Sequence, residues 1–313
     1  MGQHGAITNW SQYVAARTVA LLLGLFPMDA SLGAARALGS LIWKLDRKHR
    51  RRAIDNLRAS FPEKSDAEIA QLGEKSMQNL LEFIMDTLFT PRTIHIETWH
   101  KHVHFHNLSE PLRFILRRRG AIMLTAHYGN FEILGYAMAT MGFRTFSVAR
   151  PIDNPLVDQW ILGVRERKGQ VILSKRGVTT TAQEVLEGQG VLGFIADQNA
   201  GPKGMFVPFF GRPASAYKTL GLLAIQYRVP ILIGYARRRG GQFEFDVGVQ
   251  DLIEPEDWEK VRDEGGDELR YVTERWNKAI EDFVRADPSQ YWWVHRRWKT
   301  RPKGEPPGLL GTG

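Results

Sequence analysis

Ala121-Ile122-Met123-Leu124-Thr125-Ala126-His127-Tyr128-Gly129-Asn130-Phe131-Glu132 runs from an apolar segment through a turn into a second apolar segment. The short run Ala121–Leu124 reads as a buried strand. Gly129-Asn130 is a turn signal, and Asn130 suits the N-cap of a helix over Phe131–Met141. His127 therefore belongs on the loop leaving a strand, and Glu132 in the first turn of a helix, where the positive end of the dipole favours an ionised carboxylate. A carboxylate near an imidazole fixes its tautomer and stabilises its charged form. His127 and Glu132 are the candidate catalytic pair, a general base and the group that orients it; the nucleophile need not belong to the protein. In isolation the same two residues also fit a satisfied core histidine and a helix-capping glutamate, and His-x4-Glu matches are common by chance.

Outward from this stretch the pattern alternates. Strands are expected at 101–106, 120–125, 143–148, 170–173, 191–196 and 230–236, with a further one at 242–248. Helices are expected at 108–118, 131–141, 154–168, 178–187 and 215–228, and a late amphipathic one over Glu268–Ala286. This is the rhythm of an α/β sandwich: a central, mostly parallel sheet flanked by helices. Residues 1–95 read as an N-terminal helical region. Ser65-Asp66-Ala67-Glu68 is a capping box that opens a helix to about Phe89, stopped by Thr90-Pro91. The expected organisation is a membrane-associating helical region over 1–95, an α/β core over 96–301 and a flexible tail over 302–313.

The 313 residues contain no cysteine, which rules out structural disulfides, a thiolate nucleophile and cysteine metal sites. The formal charge of +8 suggests an anionic partner. Basic residues cluster at Arg47–Arg52, Arg117–Arg119, Arg237–Arg239 and Arg296–Arg301. No zinc-finger, RNP or basic-zipper pattern accompanies them, so no nucleic-acid partner is expected. Anionic lipid headgroups account for the charge and also for the apolar run Val19–Met28, which is too short to span a bilayer. Trp10–Leu25 and Asp29–Leu45 read as two hydrophobic helices, the first lying in a membrane interface; a hairpin covering a soluble core is the competing reading.

Two further patterns lead elsewhere. Gly188-Gln189-Gly190-Val191-Leu192-Gly193 spells a dinucleotide fingerprint, but a helix precedes it and a strand follows, the reverse of what phosphate binding needs. It reads as a helix stop and tight turn. His100, His102, His104 and His106 alternate as on one face of a strand; such spacing closes a metal tetrahedron poorly, and neither a metal nor a cofactor is expected. Gly-x-Ser-x-Gly, Walker A and His-Glu-x-x-His are absent.

The string His127-Tyr128-Gly129-Asn130-Phe131-Glu132 resembles the His-x4-Asp/Glu motif of the lysophospholipid-acyltransferase superfamily, in particular its branch of lipid A late acyltransferases. Val148–Pro155 is similar to that branch's Arg-Pro segment, Ile195–Gln198 with Gly204–Ala214 to its Asp-Gln and Phe-Phe-Gly blocks, and Gln290–Lys299 to its aromatic-basic terminal block. The four blocks occur in order over about 120–300. The resemblance implies transfer of a fatty acyl chain from a thioester, acyl carrier protein or acyl-CoA, to a hydroxyl of an anionic lipid A precursor or related glycolipid. It implies attachment, peripheral or monotopic, to the cytoplasmic face of the inner membrane. Arg150 and Asp197 each follow a strand that can end on the same rim as His127; with Gln198 they are candidate substrate-binding residues. Direct attack by the acceptor hydroxyl fits best; an acyl-serine route has no motif in support. The alternatives are another lipid acceptor, such as a phosphoinositol mannoside or a glycerophospholipid, and a non-catalytic lipid-binding protein.

Overall fold

The computed structural model describes residues 5–107, 109, 113, 120–149, 152–166, 169–174 and 178–304. Four helices come first: α1 (Ala6–Leu23), α2 (Met28–Leu45), α3 (Arg47–Ser60) and α4 (Asp66–Thr93). They lead into an alternating α/β series. The strands are β1 (Val103–His106), β2 (Ala121–Thr125), β3 (Thr145–Ala149), β4 (Val171–Ser174), β5 (Val191–Ile195), β6 (Met205–Phe209), β7 (Arg212–Ala216), β8 (Ile231–Arg238) and β9 (Phe245–Ile253). Between and after them lie α5 (Phe131–Thr140), α6 (Pro155–Glu166), α7 (Val178–Glu187), α8 (Lys218–Tyr227), α9 (Pro255–Asp263) and α10 (Glu268–Ala286).

Seven strands form one sheet in the order β1-β9-β8-β2-β5-β3-β4. β8, β2, β5, β3 and β4 are mutually parallel, whereas β9 runs antiparallel to β8 and carries β1 with it. The architecture is therefore the expected α/β sandwich with a mostly parallel sheet and an N-terminal helical region. β2 is buried along its whole length, as an unbroken apolar strand in the middle of a parallel sheet should be. Its alternate side chains feed two cores. Ile122 and Leu124 join Leu192, Ile231, Trp276 and Ile280 on one face. Ala121 and Met123 join Leu232, Ile133 and Tyr136 on the other. α4 straddles both, with Ile69 and Met77 in the first core and Met85 and Phe89 in the second.

Several expectations shift. The capping box at Ser65 and Glu68 forms, but the helix it opens runs to Thr93 and carries Pro91 inside its last turn. A proline there forfeits one N–H, and the turn still closes through the Ile94 N–H on the Thr90 carbonyl. Gly204–Ala214, read only as a block, belongs to a hairpin of β6 and β7 in which Pro208 faces Pro213, and β7 takes up the first residues of the helix expected from 215. Phe210 and Gly211, both at positive φ, make its turn. The four histidines do not share a strand face. His100 lies in a 3-10 turn and His102 caps it, while His104 and His106 each meet an acid, Glu244 and Asp246. Gly188–Gly190 is the helix stop and turn expected of it. The helix expected at 108–118, the Arg117–Arg119 cluster and most of the tail lie outside the described residues.

Among the described residues no helix is long and apolar enough to cross a membrane. α1 nonetheless exposes Ile7, Trp10, Val19, Leu21 and Leu22, followed by Leu25 and Phe26 in the turn after it.

Candidate active site

Because β2, β5, β3 and β8 are parallel, their C-terminal ends lie on one rim. The loop that leaves β2 at this rim carries His127, and it is held on both sides. Asn130 N–H donates to the Ala236 carbonyl at 2.8 Å, Gly129 N–H to Gln290 at 3.0 Å, and Trp292 N–H to the His127 carbonyl at 3.1 Å. Tyr128 and Tyr291 form an antiparallel bridge. Gly129 sits at φ +51°, and a Cβ there would stand 2.1 Å from the Ala236 carbonyl oxygen, so no other residue permits this approach.

Asn130 caps α5 as expected: its Oδ1 accepts from the Ile133 N–H at 3.2 Å. Its Nδ2 donates to Asp86 of α4, which also receives Arg238 from the end of β8. Burial pushes Asp86 up to about 6, against the opposing pull of Arg238 and Asn130. Asp86 and Arg238 thus tie the motif loop to α4 from beneath.

The carboxylate that meets His127 is Asp197. It follows β5 on the same rim, is fully buried, and its Oδ1 lies 2.7 Å from His127 Nδ1. Burial works to raise the Asp197 pKa, but the His127 charge and hydrogen bond, with His295 and Arg297, outweigh it and hold the acid below the ordinary carboxylate range. The bond occupies Nδ1 and leaves Nε2 as the open ring position, with Gln198 Nε2 at 3.5 Å. Glu132, expected to orient His127, is engaged elsewhere. Its carboxylate takes the guanidinium of Arg165 in a two-pronged pair, with Nε at 3.0 Å from Oε2 and Nη2 on Oε1. The first turn of α5 directs Glu132 towards the end of α6 instead of back to the loop. Arg150 lies outside the described residues; the strand leading to it, β3, ends on the rim.

Two participants were not singled out in the sequence. Arg165 stands in Arg165-Glu166-Arg167-Lys168, which looks like a solvated charge run. His295 belongs to the aromatic-basic terminal block and packs its ring edge-on to His127, centroids 4.4 Å apart. Its Nδ1 is 3.9 Å from the second Asp197 oxygen. Burial lowers the His295 pKa to about 4, helped by His127 and Arg52 and opposed by Asp197, so it is neutral beside the pair. His127, Asp197 and His295 are residue types that hold divalent metals, and their ligand atoms lie within 4.8 Å of one another. The 2.7 Å contact, however, is a hydrogen-bond distance and turns two of those atoms towards each other instead of a common centre.

Beside Glu132 and Arg165 opens a mainly apolar slot between α5 and the sheet. Its sheet wall is built in tiers. Register pairs Thr125 with Ile195 at the rim, sets Gly193 between Met123 and Ser147 in the middle, and pairs Val191 with Thr145 at the bottom. From Ile195 to Val191 this is about 13 Å of strand. The missing side chain of Gly193 leaves the middle open, a Cβ there making only ordinary contacts. The lower part is polar: Gln170 Nε2 donates to Ser147 Oγ at 2.6 Å, while Gln170 Oε1 and Thr145 Oγ1 are buried with no hydrogen-bond partner among the described residues.

A histidine hydrogen-bonded to a buried carboxylate on the rim of a parallel sheet, next to an apolar slot, is an arrangement suited to proton transfer. Residues 6–300 match the family of bacterial lipid A biosynthesis acyltransferases, and the chain belongs to that family. It is 26% identical over 286 residues to the lipid A biosynthesis lauroyltransferase of Escherichia coli K12, covering 90% of this chain and 88% of that one. The lipid A biosynthesis myristoyltransferase of the same organism is 26% identical over 286 residues, with 86% and 80% covered. A lipid A biosynthesis acyltransferase of Haemophilus influenzae is 26% identical over 292 residues, with 91% and 88% covered.

Proposed function

We propose that this acyltransferase moves a fatty acyl chain from a thioester, with acyl carrier protein as the expected donor, to a hydroxyl of a lipid A precursor or a closely related glycolipid. The observation that carries the proposal is the His127–Asp197 bond. With Nδ1 held by a buried carboxylate, Nε2 is the position that can take a proton, and Asp197 stabilises the imidazolium that forms. In this reading His127 Nε2 removes the proton of the acceptor hydroxyl as its oxygen attacks the thioester carbonyl. The C–O bond forms, the tetrahedral intermediate collapses with loss of the C–S bond, and the thiolate recovers the proton from His127. The protein supplies no nucleophile of its own.

The slot supports a place for the acyl chain, since its apolar walls and depth suit an alkyl group. Arg165, held by Glu132 at its mouth, is suited to the carbonyl oxygen as it gains charge. Gln198 is proposed to contact the acceptor from beside Nε2. Arg150, next to the end of β3, is proposed to bind an acceptor phosphate. The exposed apolar side chains of α1 support interfacial attachment to the membrane, from which a lipid acceptor would reach the rim. The test is acyl transfer by the purified protein from acyl carrier protein to a lipid A precursor, read by mass spectrometry. Transfer that folded His127→Ala lowers by about 10²–10⁴-fold supports the reading, and near-normal turnover by that variant refutes it.

A further inference from the structure

Between α1 and α4, bordered by α6, lies a crevice of about 120 Å³ that the chemistry above leaves unused. Leu21, Leu88 and Phe89 give it apolar walls, and two arginines border it, the partly buried Arg17 and the exposed Arg92. The Arg17 guanidinium lies 5.1 Å from the centre of the Trp160 ring. Arg92 reaches the C-terminal end of α1, its Nη1 2.6 Å from where a Cβ on Gly24 would stand.

These two arginines differ from most of those placed against the body of the protein. Arg36 pairs with Glu82, Arg165 with Glu132, Arg238 with Asp86 and Arg275 with Asp251. Among the described residues no acidic one lines this crevice. Among the described residues none forms an ion pair with Arg17 or Arg92. The surroundings sharpen the contrast. Leu21, Leu22, Leu25 and Phe26 are 53–79% exposed. If this surface leaves water for lipid, two guanidiniums go with it and require an anion. A phosphate meets the guanidinium fork with two oxygens at once, and its ester chains can lie on the neighbouring leucines.

We infer that the crevice between α1 and α4 binds the phosphate of an anionic membrane phospholipid, Arg17 and Arg92 closing on its oxygens while the chains lie along Leu21, Leu25 and Phe26. The inference rests on the proposed attachment of α1 to the membrane interface. A phosphate in direct contact with both guanidiniums resists salt, whereas the diffuse pull of arginines that make no such contact is screened within a few ångströms at about 0.5 M.

The test is co-sedimentation of the full chain with phosphatidylcholine vesicles, with and without phosphatidylglycerol, at about 0.5 M salt. The intact protein should prefer the phosphatidylglycerol vesicles by about tenfold. Arg17→Gln/Arg92→Gln should bind both alike, and Arg17→Lys/Arg92→Lys should recover only part of the preference. The charge-matched control Arg47→Gln/Arg51→Gln, altered at exposed positions, should keep all of it. Full preference in the Arg17→Gln/Arg92→Gln protein, or equal loss in the control, overturns the inference. So does an intact protein that binds both vesicles equally, with attachment by α1 still standing if deletion of residues 1–27 releases it. An intact protein that binds neither vesicle refutes the attachment as well.

Discussion

Asp197 and Glu132 are two carboxylates on the same rim, each in charge-assisted contact with a nitrogen base, and they are set up for different work. Asp197 follows a central strand, is fully buried, and faces the imidazole. Glu132 sits in the first turn of a helix, is partly exposed, and faces a guanidinium that never gives up its proton. The first arrangement can hold a proton in transit. The second can only hold a charge still. Spacing in the sequence put Glu132 beside His127; the parallel order of the strands puts Asp197 there.

The sharpest way to break this comparison is to neutralise each carboxylate in turn. Asp197→Asn should lower the rate about as much as His127→Ala, by about 10²–10⁴-fold, with the double variant little worse, because the two act as a unit. Nitrogen NMR of the His127 ring should show the tautomer change in Asp197→Asn and not in Glu132→Gln. A tautomer that responds to Glu132 instead would reverse the assignment. Glu132→Gln and Arg165→Gln should each cost about 10²-fold through misplacement of the guanidinium, and combining them should add little. Additive losses measured for that pair would mean the two residues act separately.

The slot on the Glu132 side offers a smaller effect. Gly193→Leu fills its middle tier and should turn the preference by about tenfold towards short acyl donors, with the thermal midpoint reporting whether the fold survives. An unchanged donor profile would remove the acyl chain from this slot and leave the His127 chemistry intact. The smallest effect belongs to the Asp197 side. His295 has a folded pKa of about 4 against an ordinary 6.5. The unfolded chain therefore binds the extra proton first, and stability falls as pH drops through that window, by up to about 3 kcal/mol. Asp86, raised to about 6, contributes a slope of opposite sign, so the comparison is made between the parent and His295→Gln. In denaturant titrations from pH 7 to 4.5 the parent should lose stability relative to the variant, by an amount that grows as the pH falls. Equal slopes in both proteins would place His295 in a less costly environment.

Much of this was legible in one dimension. The apolar run at Ala121–Leu124, the Asn130 cap, the capping box at Ser65 and the turn at Gly188–Gly190 depend on neighbours within a few residues, and the structure has each of them. The meeting of Asp197 with the His127 rim also followed, because strand polarity alone brings those two ends together. The partner of Glu132 did not. It depends on where the end of α6 brings Arg165 relative to the first turn of α5, and Arg165 is one arginine in a run that resembles surface charge. The hairpin at 205–216 was hidden by its prolines, which argue against a strand except where an edge leaves the N–H unneeded. Helix α9 was missed although Pro255 and the Glu254–Asp257 capping box announce it.

The clamp that Gln290, Tyr291 and Trp292 place on the His127 loop bears on the history of each molecule as it is made. Synthesis runs from the N-terminus, so β2 and its histidine emerge more than 160 positions before the segment that secures them. His295 and Arg297 arrive later still. The central strands can pair on the ribosome, but the loop carrying His127 stays unfastened until Gln290–Trp292 have been made. A nascent chain that stops short of Gln290 thus has the sheet without the clamp on its rim.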